Sequence, residues 1–139
     1  MVTAYLAANL GGFVEYRKFS LTYADLTTAG TTQTIALFTL PANAKILGVY
    51  QKHSVAFAGG SLSSMTVSVG SAIGATQFTA TFDVFQAVAD TTVQETAMFK
   101  SGTAAAQVVN SYWTGSHNVN TATAGALDIC VLFLNVSTP

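Results

Sequence analysis

The chain has 139 residues, half of them apolar and only 8% charged, with a formal net charge of −1. That length fits one domain, able to bury about two-thirds of the surface its unfolded form would expose. So few charges exclude the basic stripe that nucleic-acid binding needs, and they leave no long-range field to hold copies of the chain apart. Thr, Ser, Asn and Gln must keep the surface wet instead, as in TTAGTTQT and VNTATAG.

The first segment, MVTAYLAANLGGF, has no charge and ends near Gly11-Gly12, a pair that lets the backbone turn. Residues 1–13 are therefore expected to form an arm ahead of a domain over residues 14–139. Tyr5, Leu6, Leu10 and Phe13 are its candidate partner-binding residues, because apolar side chains on an arm must be covered by something. The same segment lacks the basic start and sustained apolar stretch of a secretory signal, so cytoplasmic synthesis is expected.

From there the dominant period is two, the signature of strands. In KFSLTY, Phe19, Leu21 and Tyr23 alternate with Lys18, Ser20 and Thr22. YADLTT offers a local helical option. TQTIALFTL follows as a strand, and then KILGVYQKHSVAF, where one face is predicted to carry Leu47, Val49, Val55 and Phe57. In LSSMTVSVG, Met65, Val67 and Val69 fall on one face and Ser64, Thr66 and Ser68 on the other. ATQFTATFDV reads as another strand, and DTTVQETAMFK as a helix or extended loop. AAQVVNSYW and ALDICVLFLNV complete the set, the last apolar on both faces and so central. Turn residues at Ala29-Gly30, Pro41 to Asn43, Gly59-Gly60, Gly70 to Gly74, Gly102 and Gly115 to Gly125 separate the runs. The sum is an all-β, two-sheet β-sandwich, jelly-roll-like, of about seven to eight strands. Leu47, Val49, Met65, Val67, Val69, Ile129, Val131 and Phe133 are expected in its core.

No apolar run exceeds Ile129–Leu134, far below the ~20 residues of a spanning helix, so no membrane partner is expected. Candidate catalytic groups are few and scattered: His53, His117, Glu15, Glu95, Asp25, Asp83, Asp90, Asp128 and Cys130. Cys130, inside an apolar strand, reads as a small buried hydrophobe. One cysteine and two distant histidines give no zinc spacing, Asp83 and Asp90 form no calcium loop, and no glycine-rich stretch has the phosphate-cradling pattern. No enzyme activity, cofactor, metal site or nucleic-acid partner is expected. Tyr112 and Trp113, ahead of TGSHNVNTATAG, suit packing better than a sugar site. The loops near Gly59 and Asn118 are candidates for contacts or exposed tips.

The stretch YRKFSLTYADLTTAGTTQTIALFTLPANAKILGVYQKHSVAFAGG, continued by SMTVSVGSA, FDVFQAVADTTVQETAMFK and TAGALDICVLFLNV, resembles small virion structural proteins of tailed bacteriophages over about Tyr16 to Val136. That resemblance implies a β-sandwich on the outside of the head, a decoration or cement protein located in the virion. It implies a homotrimer, with the major capsid protein or other virion proteins as partners. A tail-, collar- or fibre-associated module, binding another virion protein or a host glycan, is the alternative.

Overall fold

The computed structural model describes residues 12–85, 92–101 and 104–136. Eight strands follow in order: β1 (Gly12–Thr22), β2 (Thr32–Leu40), β3 (Lys45–Ala58), β4 (Met65–Gly70), β5 (Phe82–Asp83), β6 (Thr92–Ser101), β7 (Gln107–Gly115) and β8 (Ala124–Val136). Two antiparallel sheets result, with orders β1-β8-β3-β6 and β2-β7-β4-β5. The pairs β1–β8, β2–β7, β3–β6 and β4–β5 describe one long hairpin whose tip lies between β4 and β5. Rolling that hairpin up brings β8 onto β3 and β7 onto β4. This is the jelly-roll sandwich, the layout that the alternating strands predict.

Sequence period decides what each strand buries. In β8, Leu127, Ile129, Val131 and Phe133 point into the sandwich, each at most 1% exposed. The strand lies between β1 and β3, as its apolar run predicts. Met65, Val67 and Val69 of β4 and Val109 and Trp113 of β7 face them from the other sheet, all buried. Trp113 is thus a core residue, and its indole N–H donates to Ser111 Oγ at 2.9 Å.

Two expectations on β3 fail for one reason. Its register against β8 shifts at Ile46/Gly48, at His53/Val55 and at Val55/Ala58. Each irregularity changes the parity of the side chains beyond it. Ile46, Val49, Gln51, His53 and Phe57 therefore go inward, while Leu47 is only half-buried and Val55 is 47% exposed.

The helical option at YADLTT shrinks to one 3-10 turn, Tyr23–Asp25, where the Asp25 carboxylate accepts the Thr22 N–H at 2.8 Å. The described part of DTTVQETAMFK, from Thr92 on, is strand β6 and not helix. ATQFTATFDV contributes only the two residues of β5, because Gln77 to Thr79 bend back onto β4: Phe78 and Thr79 both donate their N–H to Val69 O.

Candidate interaction surfaces

The polar groups that catalysis would need are engaged in separate places. Asp128 accepts Ser20 Oγ at 2.6 Å and pairs with Lys18 at 3.0 Å. Burial pushes its pKa up, but the Ser20 and Lys18 hydrogen bonds outweigh that and hold it below the usual range. Glu15 accepts from Arg17 at 3.2 Å and from Asn135 at 2.8 Å. Asp83 accepts the Phe85 N–H at 2.9 Å, and His117 is exposed on a loop. Asp90 and the side chain of Glu95 lie outside the described residues. Among the described residues, no three His, Cys, Asp or Glu side chains gather where they could hold a metal ion.

Cys130 corrects an expectation. It sits one step out of phase with Ile129 and Val131, on the outer face of the sheet, only half-buried. There its sulfur accepts the Tyr16 hydroxyl at 3.0 Å, a bond that is the main cause raising the Tyr16 pKa.

That outer face divides along its length. Toward the start of β1 it is apolar: Val14 and Tyr16 are 57% and 58% exposed, and they pair with half-buried Leu134 and Leu132 of β8. Further along, Lys18, Ser20, Asp128 and Lys52 make it polar, with Lys52 opposite Asp128.

The flank where β1 lies over β2 is incompletely closed. Phe19 of β1 stacks on Phe38 of β2 at 5.5 Å, and Phe38 on Phe133 at 5.3 Å. Among the described residues, five apolar ones pack on the core but stay partly exposed, and four are here: Phe19, Ile35, Leu37 and Phe38. Both strands are sheet edges, and β2 pairs with β7 alone among the described residues.

The arm expected over residues 1–13 meets the structure only at its end. Gly12 and Phe13 already belong to β1, opposite Val136 and Asn135 of β8. Tyr5, Leu6 and Leu10 lie outside the described residues, as does the side chain of Phe13.

The loops near Gly59 and Asn118 pack on each other. Thr123 donates its N–H to Ala58 O at 2.8 Å, and a Cβ on Gly60 would press on Thr121. The Ser116 hydroxyl accepts the N–H groups of Ser63 and Ser64, so this end is a tied rim, with Asn118 exposed on it. At the opposite end, exposed Ile73 and Val108 border a shallow open groove.

One interior feature had no sequence signal. Gln51 and His53 of β3 are wholly buried, and among the described residues their side-chain nitrogens and oxygen lack hydrogen-bond partners. The imidazole lies between Phe57 at 6.3 Å and the edge of Phe82 at 6.0 Å. Burial holds its pKa below the ordinary value, outweighing the backbone of Val55 and Val84 and the charge of Asp83.

The described residues form an all-β sandwich with exposed edge strands, exposed apolar patches and dispersed polar groups. Solved structures place the fold more closely. A chain in the capsid asymmetric unit of cyanophage Pam1 is similar, with a TM-score of 0.63 and 21% identity over 89% of this chain and 86% of that one. A chain of the capsid of Helicobacter pylori bacteriophage KHP30 has a TM-score of 0.55 and 17% identity, over 91% and 89%. At such identities what is shared is the fold. Neither a family model nor a curated protein matches the sequence.

Proposed function

We propose that this chain is a structural, non-enzymatic component of a phage virion, a decoration or cement protein on the outside of the head. The observation that carries the reading is the jelly-roll fold itself, similar over 86–91% of both chains to components of two phage capsids, at TM-scores of 0.63 and 0.55. The low charge and the exposed apolar patches support it, since an assembly part must bury surface that a free monomer would keep wet. The chain acts as a homotrimer, and Tyr5, Leu6, Leu10 and Phe13 dock on the major capsid protein or on a neighbouring copy.

The test is a binding experiment with particles that lack the protein. Purified full-length chain should sediment with such particles and raise the temperature at which they release their genome, and cryo-electron microscopy should show it in threefold clusters on the head. A chain shortened to begin at Val14 should fold and bind poorly. Density confined to the tail, or no binding, overturns the reading.

A further inference from the structure

Edge strands invite pairing, and folded proteins guard them with charges, prolines, bulges or shortness. Three of the four edges here are guarded in this way. β1 carries Glu15, Arg17 and Lys18, β6 carries Glu95 and Lys100, and β5 is two residues long. The fourth, β2, is TQTIALFTL, nine residues with no charge and no proline; its one guard is a bulge between Ala36 and Phe38, which leaves Thr32 to Ala36 a regular edge. The same edge borders the flank where Phe19, Ile35, Leu37 and Phe38 leave the core half-covered. A ladder with so little protection beside an open core flank calls for one occupant, an extended, uncharged, partly apolar strand.

The sequence contains such a strand. Met1 to Gly11 has no charged side chain, carries Tyr5, Leu6 and Leu10, and leads directly into β1. Extended, those residues span roughly 36 Å, enough to run beside the roughly 30 Å of β2. We infer that the β2 edge receives the segment Met1–Gly11 of a neighbouring copy, which adds a strand to the β2-β7-β4-β5 sheet and covers the open flank. The inference rests on the docking role proposed for the arm and names its receptor. Because edge and segment are different surfaces, a head-to-tail contact repeated around the proposed homotrimer would close a ring of three copies.

The ladder identifies a substitution that touches the edge alone. Gly115 donates its N–H to Thr31 O at 2.8 Å, so in this register Gln33 and Ile35 address β7, while the backbone of Thr32 and Thr34 faces away from it. Thr34→Pro therefore removes an outward donor and leaves the β7 ladder intact. The purified full-length chain, without particles, is compared by light scattering and sedimentation with Thr34→Pro and with the double variant Leu6→Asp, Leu10→Asp. Both variants should keep a β-type circular dichroism spectrum and lose subunit affinity by about tenfold or more. In a Cys130→Ser background, Thr34→Cys combined in turn with Ala4→Cys, Leu6→Cys and Ala8→Cys should give chains linked to one another on oxidation, and this decides alone should Thr34→Pro fail to fold. Links confined within one chain, no links at any position, a monomeric full-length chain, or variants that assemble like the parent overturn the inference. Failure to bind particles with the cross-links present would instead count only against the virion reading.

Discussion

Replacing His53 with leucine should stabilise this protein, and more so in acid. The imidazole is buried between Phe57 and Phe82, and among the described residues neither ring nitrogen has a hydrogen bond of good geometry. Leaving a buried polar group unpaired costs about 1–3 kcal/mol, and leucine has a similar volume with nothing to desolvate. A net gain of about 1–2 kcal/mol at pH 7 is expected, or a rise of about 3–8 °C in Tm for a domain of this size. The folded-state pKa of His53 lies below its ordinary 6.5, so the unfolded chain takes up the proton first as pH falls. The histidine thus withdraws stability from pH 6.5 downward, at up to about 1.4 kcal/mol per pH unit, until its folded pKa is reached. Leucine removes that loss. Urea titrations of both proteins at pH 7 and pH 5 should show the variant ahead at pH 7 and further ahead at pH 5. A variant less stable at pH 7, or a gap unchanged between the two, would refute the argument that the ring is buried, neutral and unpaired.

Other substitutions probe the frame. Gly125→Ala should prevent stable folding, because φ is +145° and a Cβ would overlap the Phe57 ring; expression in inclusion bodies or a Tm lowered by more than about 10 °C is the readout. Ser111→Ala leaves the Trp113 indole N–H without its acceptor and should lower stability by about 1–3 kcal/mol in urea, with no change of fold by circular dichroism. Asp128→Asn should have little effect at pH 7, within about 1 kcal/mol, since its partner Lys18 is half exposed. Its depressed folded pKa stabilises the parent above the unfolded value of 3.8, and that contribution is lost as pH falls through the folded value, so the variant should show a shallower acid transition there.

The sequence and the fold agree where side-chain parity alone decides burial. Met65, Val67 and Val69, like Ile129, Val131 and Phe133, belong to strands whose inward residues keep a strict period of two, and all six are buried. On β3 only Gly48 marks a register shift and nothing in KHSVAF marks the two beyond it, so counting by two carries Leu47 and Val55 inward, whereas Leu47 is half-buried and Val55 exposed. A bulge is fixed by how a strand meets its partner, and the partner, β8, lies more than sixty residues further along the chain, as the pair Ala58↔Ala124 shows. Cys130 illustrates the converse: hydropathy alone put it inside, whereas its phase against Ile129 and Val131 puts it on the face shared with Asp128.

The candidate surfaces were harder to read, for a related reason. What makes the β2 edge unusual is a comparison among four edges, and which strands are edges depends on long-range pairings such as Thr32 with Thr114. Read alone, TQTIALFTL is an ordinary apolar strand, and its freedom from charge would suit the middle of a sheet as well as the rim. Only its position at the rim turns that composition into an exposed ladder beside Phe19 and Phe38. The arm is the opposite case, since its uncharged, apolar character is visible in the first thirteen residues without any structure. An apolar segment and a weakly guarded edge are each a liability in a free monomer, and the proposed contact between copies would remove both. That economy favours a surface built for assembly over one built to remain in solution.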